Sequence, residues 1–170
     1  GYYIGNILPV NYERLYEDVS VGREILVDEG RVRLIVESIL DTEIICHVDQ
    51  GGIVRSRKGM NLPDVYLNME YLGEEDREDL LWCIENDVDY VAASFVRRRE
   101  DVEIMRDFLD RNGGSGIGII AKIETKEAVK NLEAIASAAD QILIARGDLG
   151  VEIGCARVPA VQKQIIHKCT

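Results

Sequence analysis

Over the first third of the chain, apolar residues come in short runs separated by turn residues, and none of these runs keeps a helical period. Glu24-Ile25-Leu26-Val27, the turn Asp28-Glu29-Gly30 and the run Arg31-Val32-Arg33-Leu34-Ile35-Val36 read as a β-hairpin. Gly30 is free to take a positive φ, and the second strand alternates basic with apolar positions, so one of its faces is solvated. A further β-rich stretch, Thr42 to Val48, runs into Gly51-Gly52 and Ile53-Val54. Residues 1–58 thus read as a small all-β module in which the pattern predicts no helix.

The pattern changes after Arg55-Ser56-Arg57-Lys58-Gly59 and Asn61-Leu62-Pro63, which places a domain boundary behind Lys58. From there, charged helical segments alternate with continuous apolar runs. A helix over Glu74 to Asn86, with Leu80, Leu81 and Ile84 as its apolar positions, precedes a strand over Tyr90 to Val96. A second helix carries Val102, Met105, Phe108 and Leu109, stops at Gly113-Gly114 and leads into a strand over Ile117 to Glu124. A third carries Ala128, Val129, Leu132, Ile135 and Ala136 before the run Gln141 to Ala145, and a fourth begins near Pro159. Uninterrupted apolar strands predict burial on both faces, hence a parallel sheet covered by crossover helices and an α/β class. No GxGxxG turn follows any strand, which favours a (β/α)8 TIM barrel over a dinucleotide-binding sheet. A complete barrel takes about 250 residues. The 112 residues of 59–170 therefore read as the central, incomplete part of one, the chain being cut short at both ends.

Composition narrows the possibilities without changing that picture. Of the 170 residues, 46% are hydrophobic and 30% charged, and 15 glycines with 3 prolines exclude collagen-like and low-complexity classes. The net charge of −11 opposes binding to nucleic acid or an anionic membrane. Cys46, Cys83, Cys155 and Cys169 form no CxxC pair, and with only His47 and His167 beside them a zinc site is not expected. The chain shows neither a secretory leader nor an apolar run of the roughly 20 residues that span a bilayer, so free, mostly buried thiols in the cytoplasm are expected.

Two strand ends carry the candidate chemistry. Lys122 and Glu124 lie two apart at the end of an apolar run, so both face the same way, where charge is rare unless it is paired or functional. Active sites of barrels sit at the C-terminal ends of the strands. An ion pair at the strand's exit into solvent is the simpler alternative. The next strand runs into Arg146-Gly147-Asp148-Leu149-Gly150, read as a loop whose glycines let backbone amides approach an anion, with a plain turn as the alternative. Adjacent strand ends bring Glu124 near Asp148, and two carboxylates there call for a hard cation such as Mg2+, which takes one or two protein carboxylates and completes its shell with water and phosphate oxygens. Lys122, Glu124 and Asp148 together suggest phosphoryl chemistry.

The strings Ser56-Arg57-Lys58-Gly59-Met60-Asn61-Leu62-Pro63, Val91-Ala92-Ala93-Ser94-Phe95-Val96-Arg97, Ile120-Ala121-Lys122-Ile123-Glu124 and Ala145-Arg146-Gly147-Asp148-Leu149-Gly150-Val151-Glu152 closely resemble pyruvate kinase, in that order and at compatible spacings. The hairpin ending Val27-Asp28-Glu29-Gly30 resembles that family's β lid. The resemblance implies a barrel interrupted by a lid domain, a homotetrameric cytoplasmic parent, and transfer of phosphoryl from phosphoenolpyruvate to ADP in glycolysis. It implies Mg2+ (or Mn2+) and K+ as cofactors, the K+ ligands being absent from this chain. Lys122 matches the lysine that stabilises charge on the transferring phosphoryl and the enolate. Glu124 and Asp148 match the metal carboxylates, and Gly147 and Asp148 the loop that binds the substrate carboxylate. Lys58 matches a nucleotide contact, with a solvated basic run as the alternative, and Ser94 and Phe95 match a strand end lining the pocket, or simple packing.

Departures from the family pattern are local or concern missing parts. Gly154-Cys155-Ala156-Arg157 stands where the family usually has proline and then an acid. The strands expected to bear a substrate arginine and a substrate threonine, and a C-terminal regulatory domain, are absent, so the 170-residue chain alone is expected to be inactive. A Mg2+-dependent phosphoenolpyruvate or pyruvate barrel acting as aldolase or lyase would need no lid, and a non-catalytic module would be expected to have broken the Lys122, Glu124 and Asp148 set.

Overall fold

The computed structural model describes residues 7–169; the first six residues of the β module and Thr170 lie outside the described residues. The chain divides into two compact units, Gly1–Asn68 and Met69–Thr170.

The first unit opens with a single helical turn, α1 (Leu15–Asp18), where the pattern predicted no helix. Its anchor is Leu15, which is buried, while Asp18 accepts from the Tyr12 hydroxyl at 2.6 Å and from the backbone and side-chain nitrogens of Asn68 at 2.9 and 3.1 Å. These bonds tie the start of the unit to its end. Strands β1 (Glu24–Val27), β2 (Val32–Leu40), β3 (Glu43–Gln50) and β4 (Met60–Asn61) form an antiparallel sheet in the order β3-β2-β1-β4. The β1–β2 hairpin pairs Val27 with Val32, and its turn has positive φ at Glu29 (59°) and Gly30 (78°), as mirror-image hairpin turns require. Ile25, Val27, Val32 and Val36 form its core. Because Met60 and Asn61 pair with Val27 and Leu26, the sheet keeps β4 beyond the basic stretch at Lys58.

The second unit repeats helix and strand: α2 (Glu74–Glu85), β5 (Tyr90–Ala93), α3 (Arg99–Arg111), β6 (Gly118–Ile123), α4 (Lys126–Lys130), α5 (Leu132–Ala136), β7 (Gln141–Ile144), α6 (Arg146–Ile153), a 3-10 turn (Cys155–Arg157) and α7 (Val158–Cys169). The three strands are parallel, in the order β5-β6-β7. Val102, Met105 and Leu109 of α3 are buried, as the helical spacing requires. The helix ends in a Schellman turn, with Gly113 at φ 90° and the Gly114 amide donating to the Leu109 carbonyl at 2.8 Å.

Several expectations are corrected here. The strands bury one face, not two: Val91, Ala93, Ile119, Ala121 and Ile123 pack inward, whereas Tyr90 and Leu143 are exposed and Ile120 half-buried. The described helices cover a single side of this sheet, which accounts for the difference. β5 stops at Ala93 instead of Val96, because Phe95 turns the chain at φ 52°. The third helix is two short ones, α4 and α5, which meet at Asn131, whose side-chain amide donates to the Arg97 carbonyl at 2.9 Å. The Arg146–Gly150 stretch is not a loop but the start of α6, because Leu149 and Gly150 are buried and the Leu149 amide bonds back to Ala145 at 2.9 Å. No thiol is fully buried: Cys46 and Cys83 are half-buried, and Cys155 and Cys169, lying in the 3-10 turn and at the end of α7, are exposed.

Burial sets the expected energetics. Leu109 has 0% exposure and Leu81 40%. In urea unfolding, Leu109→Ala is expected to cost about 3 kcal/mol, the usual loss for a core leucine, and Leu81→Ala less than about 0.5 kcal/mol. Equal losses would show that the α2 face carrying Leu81 contributes to the core.

Candidate functional site

The site grows from the C-terminal end of β6. Alternation along that strand turns Ile119, Ala121 and Ile123 into the core and leaves Lys122 on the other face. Glu124 follows directly, with only 1% exposure. A carboxylate so enclosed must find partners for its charge. Its Oε1 pairs with Lys122 Nζ at 2.7 Å, and its Oε2 accepts the Phe95 amide at 2.5 Å. Lys122 Nζ also donates to Ser94 Oγ at 2.8 Å. Lys122 keeps 24% of its side chain accessible, so an ammonium with three donors spends two within the protein and turns one outward.

Phe95 makes this arrangement possible. Its left-handed backbone, at φ 52°, is costly for a bulky residue, and such strain persists where the surroundings enforce it. The bend aims the Phe95 amide at Glu124 and leaves the ring 49% exposed. One residue earlier, the Ser94 carbonyl has left the sheet ladder and accepts from the Tyr71 hydroxyl at 2.9 Å. Burial, assisted by the carboxylates of Asp101 and Asp76, holds the Tyr71 phenol well above its ordinary value, so it remains a donor throughout the physiological range.

β7 brings the second half of the site alongside. Ile144 lies opposite Ile123, and the Ala145 amide donates to the Ile123 carbonyl at 3.2 Å, so Glu124 and the start of α6 leave the sheet at neighbouring points. The Gly147 and Asp148 amides lie in the first turn of α6, ahead of the first intrahelical donor, where a helix presents unpaired N–H groups. The space above Gly147 is open, with no atom within 4 Å of where a Cβ would stand. Asp148 is half-buried, and among the described residues its carboxylate makes no hydrogen bond or ion pair. A cavity of about 500 Å³ opens on Arg146 and Gly147, but Cys155, Val158, Pro159 and Lys163 line it instead of Lys122 or Glu124.

The donor set suits a hard divalent ion. Among the described residues no three His, Cys, Asp or Glu side chains cluster as ligands. Two carboxylates at neighbouring strand ends match Mg2+, which completes its shell with water and phosphate oxygens. Although both Glu124 oxygens have donors, each keeps a lone pair in reserve.

The structure thus brings Lys122 together with Glu124, and sets Gly147 and Asp148 at the adjoining strand end. Lys58 belongs to the first unit, where its Nζ lies 2.8 Å from Asp28 Oδ1. Sequence reasoning named Ser94 and Phe95 only as lining, and missed both the amide and hydroxyl contacts and Tyr71 altogether. An exposed phenylalanine in left-handed backbone leaves no trace in a hydropathy pattern, and Tyr71 lies 23 positions from the serine it holds.

A lysine, two carboxylates and a helix N-terminus thus lie at the C-terminal ends of adjoining strands in a three-stranded parallel sheet with crossover helices, an α/β arrangement. The sequence profile of the pyruvate kinase barrel domain matches residues 4–170. Pyruvate kinases of Clostridium perfringens and Geobacillus stearothermophilus are 46% and 44% identical over 160 and 164 residues, covering 94% and 95% of this chain. That of Mycobacterium tuberculosis is 44% identical over 156 residues, or 92% of the chain. The chain belongs to the pyruvate kinase family. It spans 28% to 34% of the length of these relatives.

One consequence concerns Asp28, a buried residue at φ 54°. The hydrogen bond from Lys58 holds its carboxyl below the usual carboxylate range against the opposing effect of burial. Its unfolded value is about 4. The pair therefore contributes stability that is fully present above about pH 4 and is lost as pH falls through the lower folded value. Lys58→Met should bring the Asp28 midpoint up, read by carboxyl 13C shifts during an acid titration. An unmoved midpoint would mean that Lys58 is not the group that lowers it.

Proposed function

We propose that this chain is part of a pyruvate kinase, an enzyme that transfers phosphoryl from phosphoenolpyruvate to ADP and yields pyruvate and ATP. The observation that carries this reading is the buried Glu124 carboxylate held to Lys122 at the end of β6, beside the start of α6, in a chain of this family. On this reading the second unit is the central portion of a (β/α)8 barrel, and the uncovered face of β5, β6 and β7 is its interior. The β module is the lid, and Lys58 a nucleotide contact. The parent is a cytoplasmic homotetramer. Among the described residues no helix is long and apolar enough to cross a membrane.

The reaction breaks the phosphorus–oxygen bond to the enol of phosphoenolpyruvate and forms one to the terminal phosphate oxygen of ADP. The electron pair stays on the departing enolate, which takes up a proton at carbon to give pyruvate. Catalysis of such a step is chiefly positioning and charge stabilisation. Lys122 turns its remaining donor toward the phosphoryl oxygens and the enolate oxygen, fixed in direction by Ser94 and Glu124. The Gly147 and Asp148 amides donate to the substrate carboxylate at the positive end of α6. Glu124 and Asp148 would hold Mg2+ (or Mn2+), which supplies Lewis-acid stabilisation of phosphate charge. A monovalent cation, K+, is taken up by residues of the parent that are not among those of this chain.

Kinetics of the complete polypeptide test the assignment. Lys122→Met should lower kcat by roughly 10²- to 10³-fold, the range for one preorganised charge stabiliser, with a smaller effect on phosphoenolpyruvate binding. A variant changed in KM alone would make Lys122 a binding residue. Glu124→Gln and Asp148→Asn should each weaken Mg2+ affinity, non-additively in the double variant, and wild-type affinities in all three would remove the metal assignment. The 170-residue chain by itself should release no pyruvate, and measurable turnover by it would show that the remainder of its relatives' length is dispensable.

A further inference from the structure

Lys122, Glu124, Phe95 and Ser94 close a ring. Lys122 pairs with Glu124, Glu124 accepts the Phe95 amide, Phe95 follows Ser94 in the chain, and the Ser94 hydroxyl returns to Lys122. The ring joins two strand ends, and its weak link is the Ser94-Phe95 bend, which lies beyond the β5 ladder and includes a phenylalanine in left-handed backbone. Nothing in β6 holds the Ser94 carbonyl. That carbonyl is held by the Tyr71 hydroxyl, which reaches in from the segment ahead of α2. Tyr71 itself packs against the core of the second unit, next to Leu72, which is 2% exposed. Its ring is therefore anchored, and its hydroxyl sits at a fixed point in the fold.

We propose that Tyr71 is a positioning residue for phosphoryl transfer: by donating to the Ser94 carbonyl it holds the bend through which the Ser94 hydroxyl aims Lys122 and the Phe95 amide aims Glu124. The proposal rests on the pyruvate kinase reading. Tyr71 touches neither Lys122 nor Glu124 by any hydrogen bond, and acts only through the backbone at Ser94. Losing the hydroxyl leaves the aromatic packing in place but frees the carbonyl, and with it the strained φ at Phe95. Both partners of the ion pair then lose orientation together, and small misplacements of catalytic groups are costly in rate.

The test uses the complete polypeptide with three readouts. Tyr71→Phe should lower kcat about tenfold with KM for phosphoenolpyruvate within about twofold, since aim is lost and not binding. The Phe95 amide proton, bonded to a carboxylate at 2.5 Å, should resonate far downfield in the wild type, and should move upfield in Tyr71→Phe and in Glu124→Gln. In the double variant Tyr71→Phe with Ser94→Ala, the two losses should combine to less than their product, because Ser94→Ala already removes the hydroxyl arm through which part of the Tyr71 effect passes. A purely structural tyrosine would lower the melting temperature and leave the resonance and kcat in place, which would overturn the proposal. So would losses that multiply in the double variant. Should Tyr71→Phe fail to fold, 3-fluorotyrosine in place of Tyr71 alters the donor without changing its packing, and a Phe95 resonance and kcat that both stay unmoved would overturn it equally. Wild-type protein that releases no pyruvate refutes the enzyme reading. Wild-type turnover with an unaltered Tyr71→Phe variant refutes the positioning role alone.

Discussion

A carboxylate shut away from water at the end of a parallel strand governs the second unit. Glu124 has almost no exposure, and an enclosed carboxylate is costly unless it is paired and hydrogen-bonded. Its partners are one ammonium and one backbone amide, and each imposes a requirement on a different strand. Lys122 must lie two residues back on the same face, which fixes the register of β6 relative to the site. The amide must come from β5 after that strand has ended, which demands the bend at Phe95. The parallel pairing of Ala93 with Ala121 places the two strand ends side by side so that both demands can be met at once.

The arrangement also allows an ion pair and the proposed site to coincide. A surface pair would contribute little to stability, and a fully enclosed one would be inert. Here the two members differ in exposure: the acid is buried and the base is partly open. The buried member orients the open one, and the Ser94 hydroxyl fixes a second of its three donors. Direction is thereby defined for the donor that remains. Of the two readings that Lys122 and Glu124 allowed, the geometry shows the structural pair directly, and the proposed functional role rests on the open, oriented ammonium.

Much of this was legible in the sequence, for identifiable reasons. Apolar runs between helical stripes announced the parallel strands, and a lysine and a glutamate two apart at the end of such a run announced the site. Both signals depend on periods of 2 and 3.6, which are local. What escaped was set by non-local packing. Asn131, where α4 and α5 meet, sends its side-chain amide to the Arg97 carbonyl, far off in sequence. The Arg146–Gly150 stretch reads as a loop from its glycines, yet forms a helix because Leu149 and Gly150 have a buried place to go. Burial on both strand faces was inferred from uninterrupted apolar runs, whereas the described helices cover only one. The bend at Phe95 was invisible, since no residue preference marks a phenylalanine for positive φ.

The helical start of α6 alters the chemistry in a definite way. A flexible glycine loop could offer amides to an anion only after ordering itself, at an entropic cost for each residue fixed. A helix has met that cost during folding, and its first turn presents the Gly147 and Asp148 amides already aligned with the peptide dipoles behind them. Asp148 stands in that same turn, where a negative side chain is stabilised without needing a side-chain partner. An unpaired, half-buried carboxylate and unpaired amides can therefore sit within one turn: the first is suited to a cation, the second to an anion. A substrate carrying both a carboxylate and a metal-bound phosphate would satisfy both at once. Glycine at position 147 keeps the approach clear, since any side chain there would occupy the open space that such a ligand needs.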